Sequence, residues 1–182
     1  MNLRPFAITD ADGLEKLRPV LLHALAEMSR RSGGRYKPER VLDRLKADLP
    51  LAKKFALWVV VDTSMRDNGV QLNEAVVGVT TINLVFDEIG SPAAFISRGW
   101  GRGKCGGPAF DTVLPYVEKW ARERGAVRLI MMTERSSAAA GVERLGLRLW
   151  IARLRGLLAY ARWAVRRGFV MRETIFEKEL KP

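Results

Sequence analysis

Ser91-Pro92-Ala93-Ala94-Phe95-Ile96-Ser97-Arg98-Gly99-Trp100-Gly101-Arg102-Gly103-Lys104-Cys105-Gly106-Gly107-Pro108 is the stretch on which the fold turns. Ser91 to Ser97 reads as a strand after the turn at Gly90, and it runs into the glycines Gly99, Gly101, Gly103, Gly106 and Gly107. Beyond them Phe110, Val113, Leu114, Val117, Trp120 and Ala121 recur at helical spacing up to a stop at Gly125, with Pro115 as an irregularity. A strand that passes through glycines into a helix leaves backbone N–H groups free at the positive end of the helix dipole, which is a ready anion site. Arg98, Arg102 and Lys104 add charge, and Pro108 suits the first helical position, where its missing N–H costs little. A tight βα turn with no ligand is the plain alternative.

Working outward, residues 3 to 9 read as a strand, and Asp12 with Glu15 resembles the capping box of a helix. Leu14, Leu17, Leu21, Leu25 and Met28 form the buried stripe of that helix, while Pro19 either kinks it or marks its true first turn. Ser32-Gly33-Gly34 breaks the chain. A second helix follows Pro38, with Val41, Leu42 and Leu45 on one face and Leu49-Pro50 at its end. Ala56 to Asp62 and Ala75 to Phe86 are β-rich, joined by a polar hairpin loop from Ser64 to Asn73. Val127 to Thr133 is the next strand. From Glu134 to residue 167 the pattern is helical, and Phe169 to Leu180 closes as a strand. The order β, α, α, three strands, α, β, α, β predicts an α/β domain around a mixed sheet.

A chain of 182 residues with 48% hydrophobic and 28% charged residues fits one domain, 1–182, with a packed core. No apolar run approaches the roughly 20 residues of a membrane span, and Met1 to Pro5 lacks the apolar stretch of a signal peptide. One cysteine, Cys105, cannot form an internal disulfide, so a reducing compartment, the cytoplasm, is expected. A net charge of +11 points to an acidic ligand or partner.

The element order, the strand-glycine-helix step in mid-chain, the helix end Glu118 to Ala126, and Arg167-Gly168-Phe169 with Phe176 to Leu180 together resemble the GNAT superfamily of acetyl-CoA-dependent N-acetyltransferases. The resemblance covers nearly the whole chain. It implies a mixed, mostly antiparallel central sheet flanked by helices, with a basic helical insertion at 135–158 before the last strand. In that family a loop of Arg or Gln, two residues, Gly, one residue, then Gly or Ala holds the pyrophosphate of coenzyme A. Three registers are open here, starting at Arg98, Arg102 or Lys104, and the second puts Cys105 where Gly belongs. The resemblance implies that Arg102, Gly103, Lys104, Gly106 and Gly107 contact acetyl-CoA.

Many enzymes of the family use a tyrosine five residues before the Phe of the Gly-Phe pair to protonate the leaving thiolate. Counting back from Phe169 gives Ala164; Tyr160, one helical turn earlier, is the candidate substitute, and aligning Arg144 to Leu147 instead gives Val142. For the general base, Ala93 to Ser97 offers no carboxylate, which leaves Asp87, Glu88 and Glu134. His23, the only histidine, has no neighbouring Cys or His in sequence, so no metal site is expected. Cys105 is read as a small loop residue rather than a nucleophile.

If the late segment is helical, Arg144, Arg148, Arg155, Arg162 and Arg166 form one stripe, opposite Trp150, Leu154, Leu157, Leu158, Ala161 and Val165. Such a stripe can face water, an anionic membrane surface, nucleic acid, or a protein partner, including a second copy of the chain. Two functions follow. One is a GNAT-like acyltransferase that moves acetyl from acetyl-CoA to a primary amine; the other is a GNAT-like structural or binding protein without turnover, in a nucleoprotein assembly or a phage particle (and so virion-located).

Overall fold

The computed structural model describes residues 1–31, 37–86, 90–132, 161–162, 164–172 and 175–179. Asp10, in extended backbone, accepts the Gly13 N–H at 2.7 Å and so starts α1 (Ala11–Lys16). The cap is therefore Asp10, and Asp12 lies in the first turn instead of forming a capping box. Helix α1 ends at Leu17, and Pro19 is the second residue of a new helix, α2 (Arg18–Arg31), where a missing N–H breaks no helical bond. Leu14, Leu17, Leu21, Leu25 and Met28 are all buried, as their spacing predicts. Helix α3 (Pro38–Asp48) opens on its proline and buries Val41, Leu42 and Leu45.

Strand β1 (Leu3–Ile8) begins a sheet that continues with β2 (Phe55–Asp62), β3 (Val76–Phe86), β4 (Pro92–Gly101), β5 (Arg128–Met132), β6 (Val170–Arg172) and β7 (Ile175–Glu179). The spatial order is β1-β2-β3-β4-β5-β7-β6. All neighbours are antiparallel except β4 and β5, which are parallel because the chain returns between them through α6 (Gly106–Arg122). The result is the mixed, mostly antiparallel sheet expected.

Three expectations need correction. The stretch from Ser64 to Asn73 is not a plain hairpin loop, since it holds part of α4 (Thr63–Asp67), capped by Asp62, and the start of α5 (Leu72–Ala75). Strand β4 runs four residues past Ser97 because Arg98 to Gly101 still pair with β3. The closing segment is a hairpin, β6 and β7, instead of one strand. The 135–158 insertion lies outside the described residues, as do Tyr160, Val142, Asp87, Glu88 and Glu134.

Strand alternation splits the core in two. Leu57, Val59 and Val61 of β2 meet Leu14, Leu21 and Leu42 of the early helices, whereas Val60, Ile82, Ile96 and Leu129 meet Val113 and Val117 of α6. Ala164 and Phe169 are buried in the second core. Residues 161–162 and 164–166 are helical, with Arg162 and Arg166 exposed and Ala161 partly buried. Val165, expected on the apolar side, is 61% exposed, because the helix turns Ala161 and Ala164 inward instead. No described helix is long and apolar enough to cross a membrane.

Helix α6 sits on the sheet through backbone contact. A Cβ added to Gly101 would overlap the Gly106 Cα, and one on Gly78 would come within 2.8 Å of the Ala109 Cβ. Arg124 then fastens the far end of α6: its guanidinium donates to the Ala52 carbonyl at 3.3 Å and 3.2 Å and lies 4.3 Å from the Trp120 ring.

Gly101→Ala should therefore destabilise the protein by about 3 kcal/mol, as overpacking against backbone does. Gly107→Ala, whose Cβ meets nothing within 4 Å, should leave stability unchanged or raise it slightly in chemical denaturation. Equal losses in both variants would remove the backbone contact as the cause.

A second prediction concerns pH. Asp62 is buried, and the Ser64 hydroxyl at 2.6 Å, then the Asn2 and Ser64 amides, hold its carboxyl below the ordinary range against the opposing effect of burial. A lowered folded pKa gives stability that is complete above about pH 5 and is lost as the pH falls through the folded value. Asp62→Asn should lower the Tm clearly at pH 7 and much less at pH 3. An equal drop at both would show that the charge plays no part.

Candidate functional site

The chain leaves β4 at Gly101, makes a single 3-10 turn over Gly103–Cys105, and enters α6 at Gly106. Gly103 has φ +52°, a conformation that favours glycine. The Cys105 N–H donates to the Arg102 carbonyl at 2.9 Å, closing the turn. The first turn of α6 carries no acidic residue, and Pro108 contributes no N–H. Lys104 is exposed beside it, and Gly106 and Gly107 stand at the helix start with open space over Gly107. Gly103, Lys104, Gly106 and Gly107 are thus brought together. The Cys105 sulfur is half-buried and lies 3.7 Å from the Met1 Sδ.

Arg102 stands apart from this group. Its guanidinium turns back, donating to the carbonyl of Glu74 at 2.9 Å and of Asn73 at 3.2 Å, and lies 5.9 Å from the Trp100 ring. Its backbone N–H donates to the Val77 carbonyl at 2.9 Å. The side chain fixes the loop on α5 and does not face the helix start. In the register that starts at Arg98 and ends at Gly103, the residues Arg98 to Gly101 are strand, each paired to β3.

Strand β4 has different partners along its length. It pairs with β5 only over Ala93–Ile96, opposite Arg128–Met131, but with β3 out to Gly101. Past Ile96 the edge of β4 that faced β5 has no described strand on it. The register of β4 against β3 slips at that same point: Ile82 opposes Ile96 and Thr81 opposes Arg98, so Ser97 is an extra residue.

Three polar side chains meet at this bulge. Ser97 Oγ lies 2.9 Å from Thr81 Oγ1 and accepts from Asn83 Nδ2 at 2.9 Å. Thr81 and Asn83 oppose Leu57 and Phe55, so the cluster lies on the side of the sheet that α1 to α3 cover. On that side Glu27 of α2 accepts from the Trp100 indole N–H at 2.6 Å, and His23 packs edge-on to Trp100 at 6.0 Å.

Sequence reasoning missed Thr81, Asn83, Ser97 and Glu27. It sought carboxylates on the strands, while a bulge has no letter of its own and Glu27 is 73 residues from its indole partner. The one usable signal was the pair of hydroxyls Thr80-Thr81 inside an otherwise apolar strand; both are buried. Ala164, where the family's tyrosine would fall, is fully buried in the core and brings no hydroxyl.

No protein-family model matches the sequence, and no curated protein does. Solved structures do match. A probable acetyltransferase from Staphylococcus epidermidis ATCC 12228 superposes with a TM-score of 0.60 at 10% identity, over 98% of this chain and 99% of that one. An acetyltransferase of the GNAT family from Staphylococcus aureus Mu50 gives 0.58 at 8% identity over the same shares. Glucosamine-6-phosphate N-acetyltransferase from Arabidopsis thaliana gives 0.53 at 8% identity, over 79% of this chain and 90% of that one. At such low identity the likeness is one of architecture, and the architecture of this chain is a divergent form of the GNAT acetyltransferase fold.

Proposed function

We propose that this chain moves an acetyl group from acetyl-CoA to a primary amine by direct attack. The observation that carries the reading is the junction of β4 and α6: a helix start with open space over Gly107, reached from a strand that past Ile96 has no described strand on the edge that faced β5. The amides of Gly106 and Gly107 and the Lys104 ammonium would hold the pyrophosphate, an arrangement in which helix dipole and charge add. Arg102 contributes by positioning the loop. The edge of β4 from Ser97 to Gly101, on which no described strand lies, spans about 13 Å, within reach of an extended pantetheine arm.

When bound, acetyl-CoA supplies a thioester whose carbonyl carbon can accept an amine. The chain's part is to bind and orient, and much of a rate enhancement can come from holding two reactants in register. The amine would approach from the side of the sheet that carries Glu27, a carboxylate placed to receive a proton there directly or through water.

The test is calorimetric. Acetyl-CoA titrated into the protein should bind in the micromolar range. Lys104→Ala should weaken binding about tenfold, the scale of one lost phosphate contact. Gly107→Glu, which puts a negative charge at the helix start where nothing blocks the side chain, should abolish binding without lowering the Tm. No heat at millimolar acetyl-CoA would sink the reading. Salt-sensitive binding of DNA in its place would favour the structural alternative.

A further inference from the structure

Strand β4 carries a charge on a face that is otherwise closed. Arg98 opposes Thr81, whose own neighbour on β2 is Leu57, so its side chain leaves the sheet on the side of α1 to α3. On that face Thr81 is 1% exposed, and Trp100, two residues further along β4, is 5% exposed. Arg98 itself is half-buried. Elsewhere Arg66, Arg102 and Arg124 donate to backbone carbonyls, and Arg167 pairs with Asp111. The Arg98 guanidinium has no such acceptor among the described residues. A guanidinium keeps its charge and offers five N–H donors. Drawing it partly out of water unpaired costs free energy, which a bound anion offsets.

A carboxylate stands on the same face. Glu27 of α2 accepts from the Trp100 indole N–H at 2.6 Å, and Trp100 lies about 7 Å beyond Arg98 along the strand. Among the described residues no ion pair joins Arg98 to Glu27. A cation and a carboxylate set apart on one face complement a small molecule that carries an anion at one end and an ammonium at the other.

We infer that the acceptor amine also carries an anionic group, a carboxylate or a phosphate, and that Arg98 binds this group while the amine end meets Glu27. The inference rests on the proposed acetyl transfer and names the class of its acceptor. Arg98 holds the far end of the acceptor through the paired donors of its fork and takes no part in bond making.

The experiment follows thiol release from acetyl-CoA with three amines of similar length: propylamine, β-alanine and 2-aminoethyl phosphate. One of the two anionic amines should exceed propylamine in kcat/KM by about tenfold or more, the scale of one charge-assisted contact, and which one leads tells carboxylate from phosphate. Arg98→Gln should bring that ratio close to one by raising KM for the anionic amine, and Arg98→Lys, which keeps the charge without the fork, should retain part of it. Equal use of all three amines by the wild-type protein overturns the inference, as does an unchanged ratio in Arg98→Gln. A fall in Tm of the glutamine variant with the ratio unchanged would show that Arg98 serves the fold instead. If calorimetry shows acetyl-CoA bound and neither anionic amine is acetylated, the acceptor class is wrong and the acyl-CoA site stands. If acetyl-CoA does not bind at all, the proposed transfer falls and the inference with it.

Discussion

Backbone contact between Gly101 and Gly106 is the constraint on which the rest of the molecule depends. It joins the end of a strand to the start of a helix at a separation that admits no side chain. With α6 pressed to the sheet there and fastened at its other end by Arg124, the apolar stripe of Val113, Leu114 and Val117 faces Val60, Ile82 and Ile96. The chain then has one short way back to the sheet, alongside β4 and parallel to it, and β5 takes that place.

The same constraint bears on the uneven pairing of β4 among the described residues. β4 is held to β3 out to Gly101 because its end must meet Gly106, whereas β5 follows the direction that α6 sets and pairs with β4 over only four residues. The bulge at Ser97 adds a local bend where the two demands meet. Beside it, Thr81, Asn83 and Ser97 sit in a largely apolar layer, where hydroxyls and an amide are tolerated because they satisfy one another.

Much of this was legible in the sequence, and the limits were physical ones. Val41 to Leu45 and Phe110 to Ala121 carry helical periodicity, and periodicity is set by local geometry, so those helices were found near their true bounds; Leu14 to Met28 share one buried stripe, which hides the break at Leu17 between α1 and α2. The capping residue was misplaced because Asp10 and Asp12 are equally good on paper, and the Gly13 amide chose Asp10. Strand β4 was cut short because glycines read as a turn, yet pairing with β3 kept them extended. The short helices α4 and α5 are too brief for periodicity to show. The cluster at Ser97 depends on a one-residue slip between two strands, which is a property of the pair and not of either sequence.

Charge shows where a sequence argument needed structure most. A net charge of +11 suggested an acidic partner, and Arg102 was the natural residue to greet it. Yet several arginines serve the fold: Arg102 binds two carbonyls beside α5, Arg124 a carbonyl and an indole ring, and Arg167 the carboxylate of Asp111 on α6. The planar guanidinium suits this work because it serves several acceptors at once, which an ammonium does less well. Arg102 even accepts a cost, for its Nε is buried without a partner among the described residues. What is left at the helix start is the flexible ammonium of Lys104 and the backbone itself. The anion site proposed there would owe its position to the strand-to-helix contact and its strength mainly to oriented amides, so its geometry would be only as good as the packing of Gly101 on Gly106.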